Sequence, residues 1–275
     1  MRSELVIATY NSPRALSLCL ASVARQDRRP DSIAIADDGS GPETRALVEA
    51  FAAASPVPVR HVWHEDDGFR KAAILNRAIA TSEADTLVFI DGDVMIHPGF
   101  VARHLELARP DAWASGSLIR LDAPATAAVT EADVTSGRVF DRRWLGEMRA
   151  FDRVGTWLKA MPFPRPVMAA LDALSPVQRA WCGANASAAR AAILKVNGFD
   201  ETMRWGGGDK DLGVRLTNAG IRGRHLRFTA PLVHLDHPRG YADPAHKAEN
   251  KARIRATRRS GRFWTPDGIV KGDAS

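Results

Sequence analysis

The chain has 275 residues, of which 45% are hydrophobic and 25% charged, and this balance excludes an intrinsically disordered chain because it supplies a full apolar core. Its two cysteines, Cys19 and Cys182, are too few for a disulfide framework or a cysteine-rich zinc site, which favours the reducing cytoplasm. The first residues lead directly into a strand-length apolar run, so we expect no secretory leader, and no apolar stretch reaches membrane-spanning length.

In chain order, residues 1–110 alternate short apolar runs with helical patterns, which predicts an α/β fold with a parallel sheet flanked by helices. Strands are predicted at 5–8, 33–36, 59–63 and 86–90, with a helix after each of the first three. Residues 111–180 contain interrupting prolines and are interpreted as a variable lobe. A second ordered region spans residues 181–237, and residues 238–275 form a basic tail.

The tail accounts for most of the net charge of +6, because residues 239–275 contain nine Lys or Arg against four Asp or Glu. We interpret segment 247–259 as a solvated charged helix, since it has few apolar residues. The alternative is a helix that contacts an anionic membrane surface or an anionic glycan. We predict no nucleic-acid partner.

Polar clusters follow three of the predicted strands. In open α/β sheets, ligands bind in the crevice beyond the carboxyl ends of the strands, so these clusters are expected to converge. The three clusters are Thr9-Tyr10-Asn11, Asp37-Asp38-Gly39-Ser40 and Asp91-Gly92-Asp93.

Asp91 and Asp93 are two residues apart, so both carboxylates point to one side of an extended segment, and Gly92 permits close approach of a ligand. Together they could hold a hard divalent cation, Mn²⁺ or Mg²⁺, that bridges to diphosphate oxygens. The alternative is an ordinary Asp-Gly-Asp turn.

Asp37 and Asp38 could cap the helix that follows them, or could accept hydrogen bonds from a base and a ribose; we predict both roles. Arg70 and Lys71 precede the helix that contains Asn76. Two cations beside a helix N-terminus are suited to a phosphate group, and the alternative is two solvated charges.

A glycine-rich run in the second region leads into a predicted helix. One interpretation of Asp209 and Asp211 is that they are acids in the first turn of this helix. Alternatively, if they lie in a pocket, one of them could be a base that accepts a proton from a hydroxyl. Further along, the imidazole of His234 or of His237 could complete the coordination of a metal held by Asp91 and Asp93, although a lone histidine is more often structural. The glycine-rich run is Trp205-Gly206-Gly207-Gly208-Asp209-Lys210-Asp211.

These motifs resemble those of the GT-A glycosyltransferases, specifically the inverting family 2 group, over most of residues 4–237. The C-terminal region resembles the galactosyltransferase and polypeptide N-acetylgalactosaminyltransferase signature. The N-terminal motifs are Thr9-Tyr10-Asn11, Asp37-Asp38-Gly39-Ser40, Gly68-Phe69-Arg70-Lys71 with Asn76, and Asp91-Gly92-Asp93. The C-terminal motifs are Cys182-Gly183-Ala184-Asn185, Asn197-Gly198-Phe199-Asp200-Glu201 and Trp205-Gly206-Gly207-Gly208-Asp209.

The resemblance implies a Rossmann-like sheet in which residues 1–110 bind a nucleotide sugar, residues 111–180 form a lobe on the acceptor side, and residues 181–237 supply catalysis. Asp37 and Asp38 would contact the nucleotide. Asp209 would be the catalytic base. The metal ligands would be Asp91, Asp93 and His234, with His237 as the other choice. Donor or acceptor contacts would come from Thr9, Asn11, Arg70, Lys71, Asn76, Trp205, Gly206 and Asp211.

This chain departs from the family pattern at Gly208-Asp209, where related enzymes have Glu-Asp, so the acceptor-binding glutamate of the family is absent. The resemblance implies transfer of a hexose or N-acetylhexosamine, UDP-linked, to a hydroxyl of a bacterial surface glycan or glycolipid. We expect a cytoplasmic location, with peripheral contact at the inner face of the membrane as the alternative role of the tail. A nucleotidyltransferase and an inactive glycan-binding module are the competing hypotheses.

Overall fold

Strands and helices alternate through the first hundred residues, as the apolar pattern predicts. The computed structural model describes residues 1–161, 163–204, 206–237 and 244–272. The strands are β1 (Ser3–Thr9), β2 (Ser32–Asp37), β3 (Val59–Trp63), β4 (Thr86–Asp91), β5 (Val94–Ile96), β6 (Ala112–Gly116), β7 (Leu118–Arg120), β8 (Ala186–Ala189), β9 (Arg222–Leu226) and β10 (Leu232–His234). The helices are α1 (Pro13–Val23), α2 (Pro42–Ala54), α3 (Lys71–Ala80), α4 (Phe100–Leu107), α5 (Ala123–Ala128), α6 (Glu131–Ser136), α7 (Arg142–Glu147), α8 (Val154–Lys159), α9 (Arg165–Leu174), α10 (Arg190–Lys195), α11 (Gly208–Asn218) and α12 (Pro244–Ser260).

Seven strands form the main sheet in the order β3-β2-β1-β4-β8-β6-β9. β8 pairs antiparallel with both of its neighbours, and the other pairings are parallel. Six strands therefore end at the same edge of the sheet. The predicted α/β fold with a mostly parallel sheet is confirmed.

Helices cover both faces of this sheet because successive side chains of each strand point to opposite faces. In β1, Leu5 and Ile7 pack in one core cluster with Leu16 of α1, whereas Val6 packs in the other cluster with Ile74 of α3. All five side chains are inaccessible to solvent. The continuous apolar sequence of β1 is thus explained by burial on two faces, which is typical of parallel sheets.

A smaller sheet, ordered β5-β10-β7, lies beyond the end of β4. Its residues Met95, Ile119 and Val233 form a third core cluster with Val134 and Trp144 from the helices of the 123–150 region. The 111–180 segment, predicted as a variable lobe, also supplies β6 to the main sheet. Its boundaries as a functional unit stay a prediction.

The basic tail forms α12, which packs on α11 through a polar face. Asn250 and Thr257 are buried, whereas Lys247, Lys251 and Arg255 are exposed, as expected for a solvated charged face. Among the helices that the structure describes, none is both long enough and apolar enough to cross a bilayer.

Candidate active site

The candidate site lies where β1 and β4 end side by side. In the sheet, β2 and β3 lie on one side of β1, whereas β4 lies on the other side. The strand order therefore reverses between β1 and β4, and this is the topological switch point of the sheet. The Gly92 amide donates to the Ala8 carbonyl at 2.7 Å and so fixes the segment after β4 beside β1. A Cβ at position 92 would lie 3.1 Å from that carbonyl oxygen, so this close approach favours glycine.

Lys71 connects the acidic residues at the centre of the crevice. Its Nζ atom donates to Oδ1 of Asp91 at 2.5 Å. Burial disfavours the ammonium, but the carboxylates of Asp91 and Asp209 outweigh it and raise the pKa of Lys71. Lys71 is therefore cationic at neutral pH and interacts with acidic residues from both halves of the chain.

Asp93, His234 and His237 form a cluster of candidate metal ligands. Oδ2 of Asp93 lies 3.7 Å from Nε2 of His234 and 3.4 Å from Nε2 of His237. The ligand atoms of all three residues lie within 4.8 Å of one another. Antiparallel pairing of β5 with β10 places Val94 opposite His234, which brings these distant segments together.

The cluster fits a divalent cation. Oδ1 of Asp93 is buried and has no hydrogen-bond partner within the described ranges, which is costly for a carboxylate oxygen unless it binds a ligand. Burial lowers the pKa of His234, so its imidazole is neutral at neutral pH, which is the form that binds metals. One carboxylate and two imidazoles suit Mn²⁺ better than Mg²⁺, which prefers oxygen ligands.

Asp209 lies in the first turn of α11, where the helix dipole favours a carboxylate. The backbone N–H of Gly183 donates to this carboxylate. A Cβ at position 183 would come within 2.6 Å of Oδ1 of Asp209, so glycine is needed for this contact. Burial raises the pKa of Asp209, with a further contribution from Asp91, while Lys71 opposes the increase. The carboxyl group is thus a stronger base than an exposed aspartate.

Two carboxylate–imidazole pairs line the side of the crevice beyond β2 and β3. Oδ2 of Asp37 lies 2.9 Å from Nε2 of His61, and Oδ1 of Asp38 lies 2.7 Å from Nε2 of His64. Burial by itself would raise the pKa of Asp37, but hydrogen bonds from His61 and Ser40 outweigh burial and lower the pKa. Burial raises the pKa of Asp38.

The prediction that Asp37 and Asp38 cap the next helix is wrong. α2 begins at Pro42 and its N-cap residue is Gly41, so neither acid occupies the cap position. Instead, Asp37 accepts from the amide of Ser40 at 2.8 Å, and Asp38 accepts from the amide of Arg70 at 2.9 Å. Asp37 therefore stabilises the loop after β2, and Asp38 binds the residue that precedes α3 rather than the start of α2.

The loop after β1 closes the same side of the crevice. Oδ1 of Asn11 accepts from the Gly41 amide at 3.0 Å, and the preceding residue Thr9 is buried at the end of β1. The Tyr10 hydroxyl donates to Oδ2 of Asp66 at 2.9 Å, so the loops after β1 and β3 are bridged.

His61, His64 and Asp66 were missed in the sequence analysis, and Tyr10 was named there only as a member of the cluster after β1. His64 and Asp66 belong to a polar run that follows β3 directly. The argument that located clusters after β1, β2 and β4 applies equally to β3, so the position of these residues was a usable signal.

Asn76 is not placed at the site, contrary to the prediction that it contacts the substrate. Its side chain is buried and donates to the Phe199 carbonyl and to Oε1 of Glu201, each at 2.8 Å. Its own Oδ1 accepts from the Phe199 amide at 2.8 Å. Asn76 therefore joins α3 to the loop after α10.

Asp211 also lies away from the crevice, which corrects its prediction as a substrate contact or alternative base. Its carboxylate is buried and accepts from Nε of Arg215 at 2.6 Å, and the Thr257 hydroxyl contacts its other oxygen at 3.3 Å. Arg215 is itself inaccessible to solvent. Asp211 is thus the counterion of a buried arginine.

Asp211→Asn is expected to lower the free energy of unfolding by about 3–5 kcal/mol, because it leaves the Arg215 charge buried without a counterion. Denaturant unfolding measures this loss. The matched control is Asp209→Asn, the same change two positions earlier, which is expected to leave stability near that of the parent. Equal stability of the two variants would contradict the assignment of Asp211.

The remaining predicted site residues lie at the rim. Nη1 of Arg70 contacts Oδ2 of Asp67 at 3.1 Å in a partly exposed pair. Gly206 has a φ of 96°, and its carbonyl accepts from Nδ2 of Asn250 at 2.6 Å, which connects this loop to α12. Trp205 lies outside the described residues.

Two family matches together span the crevice. Residues 4–119 match Glycosyl transferase family 2, and residues 166–238 match the family described as N-terminal domain of galactosyltransferase. The N-terminal part of the chain is thus similar to glycosyl transferase family 2, and the C-terminal part to the galactosyltransferase family. The first match contains Asp91 and Asp93, and the second contains Asp209, His234 and His237, so the candidate metal cluster draws on both. The family resemblance of the sequence motifs is confirmed.

The chain is similar in sequence to curated glucosyltransferases. It is 30% identical over 233 residues to validoxylamine A glucosyltransferase of Streptomyces hygroscopicus subsp. limoneus, across 79% of this chain and 48% of the relative. The chain spans about half the length of the curated relatives it matches.

Solved structures share its fold. Mannosyltransferase PcManGT from Pyrobaculum calidifontis, in complex with GDP-Man and Mn²⁺, superposes with a TM-score of 0.59 at 17% identity, over 97% of this chain and 66% of that one. TarS from S. aureus, in complex with UDP, superposes with a TM-score of 0.57 at 14% identity, over 93% and 65% of the two chains. The GT-A fold expected from the motifs is confirmed.

Proposed function

We propose that this protein transfers a hexose or N-acetylhexosamine from a UDP-sugar to a hydroxyl of a glycan or glycolipid acceptor, with inversion at the anomeric carbon. The observation that carries this proposal is the Asp91–Lys71 contact, with Asp209 within electrostatic reach of both. A base, a cation and candidate metal ligands thus surround one crevice. A single displacement on a nucleotide sugar can use all three kinds of group.

Asp209 is the proposed base. Its carboxylate accepts the proton of the acceptor hydroxyl while the hydroxyl oxygen bonds to the anomeric carbon, and the bond from that carbon to the nucleoside diphosphate breaks. A single displacement of this kind inverts the configuration. The raised pKa of Asp209 supports the role, since a base is most effective when its pKa approaches the working pH.

Lys71 and Arg70 are proposed to stabilise the negative charge that accumulates on the departing diphosphate. Asp93, His234 and His237, together with Asp91, would hold a divalent cation, proposed to be Mn²⁺ or Mg²⁺. When bound, such an ion acts as a Lewis acid toward diphosphate oxygens. Lys71 also holds Asp91 in position through their 2.5 Å contact.

The nucleotide is proposed to lie on the β2 and β3 side, where Thr9, Asn11, Asp37 and Asp38 gather. UDP is proposed from the family resemblance of the sequence motifs, and TarS, which has a similar fold, is solved in complex with UDP. The glucosyl unit named for the relative from Streptomyces supports a hexose donor. A bacterial surface glycan as the acceptor, a cytoplasmic location and peripheral membrane contact through α12 stay predictions from the sequence.

The proposal is tested by incubating the protein with a panel of nucleotide sugars and Mn²⁺ or Mg²⁺, with and without glycan acceptors. Release of a nucleoside diphosphate, most strongly from a UDP-sugar, is expected. NMR of the first product formed should show an inverted anomeric configuration. Release of pyrophosphate would instead indicate nucleotidyl transfer, and retention would overturn the single displacement.

A further inference from the structure

A cavity of about 220 Å³ lies at the end of β6, on the opposite side of β4 from the nucleotide loops. Ser115, Ser117, His225 and Arg227 are among the residues that line it. β6 runs parallel to β4, because both are antiparallel to the strand between them, so the cavity lies at the same sheet edge as Asp91.

A short chain of contacts connects this cavity to the proposed base. Oγ of Ser115 accepts from the amide of Cys182 at 3.1 Å. The next residue, Gly183, donates its amide to Asp209. A ligand group in the cavity would therefore lie on the acceptor side of the crevice.

Cations outnumber acids around the cavity, where Asp152 acts on Lys159 and Asp172 acts on His225. The charges of Arg227 and Arg120 both lower the pKa of Lys159. The charges of Arg179 and Arg227 likewise lower the pKa of His225. Burial, reinforced by Arg227, lowers the pKa of Lys159 to about 8. Within the described ranges, ion pairs to Arg120, Lys159, Arg179 and Arg227 are absent.

The donor atoms of these cations are only partly used by the protein. Nε of Arg227 is buried and makes no hydrogen bond to any described residue. Nζ of Lys159 donates to the Leu118 carbonyl at 2.7 Å, beside Ser117 in the cavity wall. An ammonium has three donors, so further hydrogen bonds remain available.

The two acids nearest this cluster each have other contacts as well. Asp152 accepts from the Thr156 hydroxyl at 2.7 Å and pairs with Arg153. Asp172 accepts from the Phe228 amide at 2.8 Å and from the Thr229 hydroxyl. Four cations, Arg120, Lys159, Arg179 and Arg227, thus lie near two acids, and this excess of positive charge remains for a ligand to neutralise, since partly buried cations are costly without a counterion.

We propose that the cavity beside Arg227 and Lys159 binds an oxyanion substituent of the acceptor, that is, a phosphate, sulfate or carboxylate group. The inference rests on the proposed function, since it names the acceptor class of the same site. Arginine supplies a planar set of donors that matches an oxyanion, and lysine adds a second charge.

The test is a calorimetric titration of inorganic sulfate into the full chain with Mn²⁺, with and without saturating UDP, at constant ionic strength, with acetate in a parallel titration. We expect saturable anion binding in the parent. Arg227→Gln and Lys159→Gln should each weaken it roughly tenfold or more, since hydrogen bonds to charged groups are strong. Arg224→Gln is the matched control, because it removes the same charge from β9 near Asp111 and should bind as the parent does.

Sulfate is the better probe for a phosphate or sulfate substituent and acetate for a carboxylate, and tight binding of either anion supports the proposal. Binding that UDP abolishes would assign the anion to the donor diphosphate and overturn it. Parent-like affinity in both variants would also overturn it. If the Arg227→Gln variant does not fold, the Lys159→Gln variant still tests the proposal, because Lys159 lies on a different element, α8. Failure of the proposed function is a separate result, namely no nucleoside diphosphate release by the parent from any donor.

Discussion

Asp209→Asn is expected to reduce kcat for glycosyl transfer about 100- to 10,000-fold, the usual contribution of a general base. The amide oxygen can still accept the hydrogen bond from Gly183, so the loop geometry is retained, but the side chain no longer accepts the acceptor's proton. KM for the donor should change little. Steady-state kinetics with the best donor of the panel measures both constants.

The control for this variant is Glu83→Gln, which removes a carboxylate from the surface, where Glu83 contacts only the exposed Arg2 among described side chains. It should retain the parent kcat. Mn²⁺ affinity of Asp209→Asn should also match the parent, because Asp209 is outside the ligand cluster. A kcat within a few-fold of the parent would show that another group accepts the proton.

Asp93→Ala is expected to lower both Mn²⁺ affinity and the transfer rate by at least about 100-fold, since a bound ion contributes several kcal/mol of charge stabilisation. The substitution removes the carboxylate whose Oδ1 is buried without a partner. Mn²⁺ binding is measured by electron paramagnetic resonance of the free ion. The rate is then followed over a Mn²⁺ titration.

Asp236→Ala is the matched control, because it removes an equal charge from the loop between His234 and His237 without touching the cluster. It should bind Mn²⁺ nearly as the parent does. His234→Ala and His237→Ala should each weaken binding if both imidazoles are ligands. Unchanged Mn²⁺ affinity in Asp93→Ala would remove the cluster from the mechanism.

The strand ends were the part of the site that could be predicted from the sequence. Asp91 and Asp93 follow a buried strand, and the parallel sheet requires such ends to meet at one edge. Helix roles were harder to predict. Asn76 and Asp211 lie in motifs of the site, but hydrogen bonds to Phe199 and Arg215 hold them in the interior.

Local pattern is sufficient for the α/β class, the main parallel strands and the acidic clusters, because alternating apolar runs and strand-end polar residues are short-range features. The pairing of β5 with β10, which brings Asp93 to His234, depends on contacts between residues about 140 positions apart and carries no short-range signal. The contact between Lys71 and Asp91 and the grouping of cations beside Arg227 likewise have no local sequence pattern that predicts them. Folding of the whole chain assembles these groups, since only packing of distant segments sets their distances and burial.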